Sequence, residues 1–353
     1  LYILFLYYIS IKYIFMELKY YVLWRKNNPI ILEYLDKYYD ILIWMLQELS
    51  KAWYASSDID ALLLKENRKF ILSWDISSLI QVTHIELIDK KSFNLKKPEV
   101  YLERLQEQLT LFLLWEHDKL ITHMGEKIWD TDIRLTNHDY NPVAEVISHP
   151  WHKVVGGILG WGSISQEQWL RCYSKSFEIL KQIDQGVYDE LNQIIGKIVP
   201  FGTAEGCHNS CSHKTCVGHL YMGMTTDSPN PELENLEAII HESSHNKLNL
   251  IMQSEKLILN DFEEKYYSPY RPDARHIHGV YIGIHAFVPV VYIMMKSYAE
   301  GFFWESKDAL YKIALYYLKN KFTYKVLKKH GKFSPLWEEI LQEVKYVMDI
   351  TDK

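Results

Sequence analysis

The sequence predicts a mainly α-helical protein of the α+β class: a large helical unit with a small β element placed just before a metal-binding helix. Three observations predict it. Apolar residues recur at helical spacing through most of the chain. Short apolar runs bounded by Gly, Pro and polar residues are concentrated between Lys197 and Thr226. The stretch from Pro229 to Met252 follows, with His241-Glu242-Ser243-Ser244-His245 at its centre.

Composition narrows the class. A chain of 353 residues can bury a sizeable core as one unit or two domains, and 48% hydrophobic with 24% charged residues is the balance of a folded soluble protein. A net charge of −6 argues against nucleic-acid partners held by broad electrostatics. Cys172, Cys207, Cys211 and Cys216 are too few for a disulfide scaffold, so a reducing, cytoplasmic setting is expected.

In chain order, residues 1–16 are apolar, with Met16 the first methionine. They read as an upstream extension of the reading frame or an N-terminal helix, too short to span a bilayer and without signal-peptide features. Residues 17–196 read as a helical N-terminal region. Tyr34, Leu35, Tyr38, Tyr39, Leu42 and Leu46 mark one amphipathic stripe, and Leu102, Leu105, Leu109 and Phe112 another. His149-Pro150-Trp151-His152 reads as an ordered loop rather than a ligand set, and the glycines from Gly156 to Gly162 as a turn. Residues 197–353 form the metal-binding region, expected to make one compact unit with the part before it. Ile198–Phe201 and His219–Met224 read as strands. Between them, Cys207, Cys211 and Cys216 match no familiar zinc-knuckle spacing, so a substrate-facing loop outweighs a structural zinc. The apolar run Gly279–Met295 carries His285 and Pro289, so no membrane partner is expected. Amphipathic helices close the chain, with Leu310, Ile313, Ala314, Tyr317 and Leu318 as one stripe.

The helix around His241 has a clean start. Asn230 is a good N-cap, Pro231 suits the first helical position, and Glu232 and Glu234 favour the positive end of the dipole. His241 and His245, four apart, project from one face and can share a metal ion, whereas Glu242 lies ~100° further round. Glu237, one turn earlier, could orient an imidazole. A third ligand is needed. Leu248 and Ile251 stand where a metzincin would carry Gly and a third His. Glu263 and Glu264 lack an aspartate four residues later. His285, the lone polar side chain in an apolar helical run, is the better candidate, with His276 and His278 weaker. Three imidazoles suit either Zn(II) with water or iron with a chelating co-substrate. Arg271 and Arg275 are what a dicarboxylate such as 2-oxoglutarate would need, unless they form salt bridges with Asp273 or Glu263.

Ile239 to Leu248, then Tyr266-Tyr267-Ser268-Pro269-Tyr270-Arg271 and Gly283-Ile284-His285-Ala286-Phe287, resemble the bacterial HEXXH-motif peptide-modification proteins over roughly Ser210 to Val291. The resemblance implies Fe(II)- and 2-oxoglutarate-dependent β-hydroxylation of a ribosomally made precursor peptide. It implies iron on His241, His245 and His285, with Arg271 or Arg275 holding 2-oxoglutarate. The cysteine-containing loop departs from that pattern. Two other readings stay open: a zinc metallopeptidase with Glu242 as general base, and a non-catalytic metal- or peptide-binding protein.

Overall fold

The computed structural model describes residues 29–53, 68–88, 99–113, 125–137, 158–202, 210–224, 230–256, 258–303 and 306–351. The readings made for residues 1–16, for His149 to His152, for Gly156 and Gly157, and for Cys207 lie outside them. The described chain is mainly helical with a small sheet, as expected.

Helix α1 (Pro29–Trp53) buries Ile31, Tyr34, Tyr38, Leu42, Leu46 and Leu49, an unbroken stripe at spacings of three and four. The short α2 (Arg68–Ile71) leads to α3 (Trp74–Leu87), which packs on α1 and on α4 (Glu99–Leu113). Helix α5 (Gln166–Ile183) starts at a capping box in which Ser165 and Gln168 satisfy each other's backbone amides. Helix α6 (Gln185–Ile194) follows at once, its Val187 amide donating to Asp184 at 3.1 Å.

The upstream half is not helical throughout, as its periodicity had suggested. It contributes β1 (Glu126–Lys127), β2 (Arg134–Leu135) and β3 (Ile158–Leu159) to a six-stranded sheet. Strands of two residues are too short to show an alternating pattern, so the sequence carries no signal for them. The sheet is completed by β4 (Lys197–Gly202), β5 (Ser210–Cys211) and β6 (His219–Met222) in the order β1-β2-β4-β6-β5, with β3 on β4. Strands β2, β4 and β6 run parallel, and β1 and β5 are antiparallel at the two ends. All four residues of β6 are buried, as a parallel strand covered on both faces requires.

Helix α7 (Pro231–Met252) leaves the sheet after β6 and carries the histidine pair. A two-stranded hairpin of β7 (Lys265–Tyr266) and β8 (Arg275–His276) then feeds α8 (Ile277–Ala299). Helix α8 is long and apolar enough to cross a membrane by composition, yet 72% of its apolar window is buried inside the protein. It packs against α7, α9 (Lys307–His330) and α10 (Pro335–Thr351). One buried cluster runs from α1 to α10.

Of the stripe expected on α9 from Leu310, Ile313, Ala314, Tyr317 and Leu318, Ile313 packs against the core, but Leu310, Ala314 and Leu318 face outward. Leu310 is 45% exposed and Leu318 63%. The helix instead buries Ala309, Asn320, Thr323 and Leu327. Asn320 explains the rotation: it accepts from the Tyr270 hydroxyl and donates to the Phe287 carbonyl at 3.3 Å, so a hydrogen-bonding face outranks an apolar one.

Candidate metal centre

Helix α7 owes its orientation to polar side chains that apolar periodicity overlooks. Asn246 accepts from the Gly218 amide at 2.7 Å and donates to the His219 and Glu242 carbonyls at 3.1 Å, which pins the helix to the start of β6. Lys247 meets Glu190 of α6 at 2.8 Å, with both side chains no more than 1% exposed. The start of α7 differs in detail from expectation. Pro231 opens it, but the Asn230 side chain makes no cap and donates to Ser306 at 3.2 Å instead.

With sheet and α6 fixed on two sides, His241 and His245 fall on the half-buried third side. Their Nε2 atoms lie 3.0 Å apart and their rings are nearly perpendicular, at 88°. That separation is hydrogen-bonding contact between the two rings, and it leaves both nitrogens within ~2.1 Å reach of a shared point. Burial, then the charges of Arg271 and His278, push His245 down to about 4. The imidazole is therefore neutral at physiological pH, the form that ligates.

His285 is 1% exposed on α8, and neither ring nitrogen has a hydrogen-bond partner among the described residues. Burial, with Lys247 and His245 adding to it, pushes it down to about 3. A neutral imidazole with two unmet nitrogens in the interior is costly unless something binds it. Pro289 adds to this, because it offers no amide to the His285 carbonyl four residues before it. His285 lies within electrostatic reach of His245. Even so, among the described residues no group of three or more His, Cys, Asp or Glu converges on a single point. The structure brings two of the expected ligands together and sets the third nearby.

Glu242 points away from the pair, as the ~100° offset requires. It is 4% exposed and accepts from Ser210 of β5 at 2.8 Å. Burial pushes it up to about 7, against the opposing pull of Ser210, Ser212 and Arg271. Glu237 turns elsewhere, held by Lys312 at 2.7 Å and Tyr316 at 2.5 Å, and does not brace His241. The two arginines separate. Arg275 pairs with Asp273 at 3.1 Å and packs against Gly279. Arg271 is exposed, forms no salt bridge among the described residues, and acts electrostatically on both His245 and Glu242.

An aromatic wall closes one side, a feature the sequence reading missed. Phe287 lies 4.6 Å from His241 and stacks on Tyr270, also at 4.6 Å. Gly283 makes that stack possible, since a Cβ there would come within 2.9 Å of the Tyr270 ring. His276 caps α8 by accepting from the His278 amide, and His278 contacts Met252. In the described part of the cysteine loop, Cys216 is buried against Ser78 and Tyr221, and His219 meets Asp75 at 3.3 Å, whereas Cys211 is half-buried.

No protein-family model matches this chain, and no curated protein does.

Proposed function

We propose that this protein is an Fe(II)- and 2-oxoglutarate-dependent hydroxylase acting in the cytoplasm on a side-chain β-carbon of a ribosomally made precursor peptide. The observation that carries the reading is the company His241 and His245 keep: among the described residues, a buried, neutral His285 without a hydrogen-bond partner and an exposed Arg271 without a salt bridge. Iron with 2-oxoglutarate and oxygen supplies the oxidising power to hydroxylate a C–H bond, with succinate and carbon dioxide as by-products. His241, His245 and His285 would hold the iron. Arg271 is the better placed arginine to grip the far carboxylate of 2-oxoglutarate, because Asp273 bonds Arg275 directly and acts on Arg271 only electrostatically. Phe287 and Tyr270 keep water off one flank of His241. In this chemistry Glu242 has no proton to remove. Its bond to Ser210 fixes α7 against the edge strand β5.

One observation favours the second reading, a zinc peptidase. A carboxylate pushed up to about 7 is well matched to a general base at neutral pH. Anaerobic loading with Fe(II), followed by 2-oxoglutarate and oxygen, separates the two. Succinate that disappears in His245→Ala and Arg271→Ala supports the hydroxylase. Peptide cleavage restored by Zn(II) and abolished in Glu242→Gln would replace it with the peptidase.

A further inference from the structure

From His241 onward, the half-buried residues of α7 are His241, His245, Asn249 and Met252. They form a single stripe, spaced by one turn each. The stripe begins at the aromatic wall and ends at a cavity of about 490 Å³ whose lining includes Met252 and Gln253. Met45, Ile85 and Ile258 give that cavity an apolar lining. At its edge stands Phe262, which is 78% exposed and stacked on His276 at 5.2 Å. Together with the apolar lining, the exposed ring extends the apolar surface at the mouth of the cavity.

Two features set the polarity of the occupant. Lys214 and Lys256 line the cavity, and neither has an acidic partner among the described residues. The acid beside them, Glu255, shares Lys37 with Glu33, at 3.4 Å and 2.9 Å respectively. His276 and His278 also line it. Of the charged groups lining the cavity, the two lysines outnumber the one acid, so its net charge is positive. The second feature is Gln81, 2% exposed. Its Nε2 donates to Gln253 at 2.9 Å, and Gln253 in turn donates to the Lys214 and Asn249 carbonyls. That chain fixes the amide orientation and leaves Gln81 Oε1 buried without a partner among the described residues. An unmet buried acceptor calls for a donor.

We propose that this cavity anchors the peptide substrate, taking an aromatic side chain that carries an N–H or O–H donor and is flanked by carboxylates. The inference rests on the peptide-modifying reading above and names the sequence feature that reading requires. Met252 lies seven residues beyond His245, about 10 Å along a helix. An extended peptide covers that distance in about three residues. The anchor therefore sits about three residues from the residue modified.

The probe is a fluorescein-labelled pentapeptide, Gly-Asp-Trp-Asp-Gly, titrated with the full chain at low salt and followed by anisotropy, with EDTA and again with Fe(II). Binding is expected in both. It should weaken about tenfold or more when Trp is replaced by Ala, and several-fold when both Asp are replaced by Asn. A Lys214→Glu, Lys256→Glu variant changes only exposed side chains, so it folds, and it should lose most of the affinity for the acidic peptide. The proposal is overturned if the three peptides bind alike, if none binds at millimolar concentration, or if the double charge reversal leaves affinity unchanged. The assay needs no turnover. Selective binding of the acidic peptide, with no succinate from the iron-loaded protein under 2-oxoglutarate and oxygen alone, would sink the oxygen chemistry and keep the pocket. Succinate formation without selective binding would do the reverse.

Discussion

Replacing Glu242 by Gln keeps the side-chain shape and an oxygen that can accept from Ser210, while removing a carboxylate that burial pushes up to about 7. In metal-free protein the folded state holds this proton more tightly than the unfolded chain, where the ordinary value is 4.5. The group's contribution to stability is therefore complete below pH 4.5, declines as pH rises towards 7, and is lost above it. A rise from 4.5 to about 7 corresponds to about 3 kcal/mol against folding at pH 8. Glutamine carries none of that cost. The Glu242→Gln protein should therefore be about 2–3 kcal/mol more stable than its parent at pH 8 and equally stable at pH 4.5. Urea unfolding in EDTA, followed by circular dichroism at pH 4.5, 6 and 8, measures the difference. A variant that gains nothing at pH 8, or gains equally at every pH, would refute the buried, proton-retaining carboxylate.

Lys247→Met leaves Glu190 buried without its cation and should cost about 3–5 kcal/mol in urea unfolding, whereas Lys247→Met with Glu190→Leu should restore most of that stability. Asp75 would be pushed up by burial, but Lys197 and His219 outweigh this and hold it at about 2. Its stabilisation is present above pH 4 and should drain away as pH falls from ~4 to ~2; Asp75→Asn should flatten that limb of the acid unfolding curve. Gly283→Ala drives a methyl into the Tyr270 ring and should cost about 1–3 kcal/mol while weakening metal binding through Phe287, both readable by thermal unfolding with and without metal.

Legibility in the sequence followed length and locality. Helix α7 and its histidine pair are local: Pro231, two early acids and a four-residue spacing fit within 22 residues. Strands β4 and β6 stood out because each is a continuous apolar run. Strands β1 to β3 are two residues long and carry no pattern. The α9 stripe misled because its packing is decided by Asn320, Tyr270 and Phe287, residues far apart in sequence. At the candidate site, Arg271 and Arg275 are indistinguishable by spacing, and only the β7–β8 hairpin, which sets Arg275 beside Asp273, tells them apart. The Ser210–Glu242 bond and the buried Lys247–Glu190 pair were invisible for the same reason. In sequence, a buried lysine looks like a solvated one.

The central claim is that His241, His245 and His285 hold iron for oxygen chemistry, and one measurement tests it most directly. The protein and its His285→Ala variant are loaded with one equivalent of Fe(II) under argon, mixed with 2-oxoglutarate and oxygen, and assayed for succinate. Succinate from the parent, reduced at least a hundredfold in the variant, is the expected result. Equal succinate from both, or none from the iron-loaded parent, would contradict it.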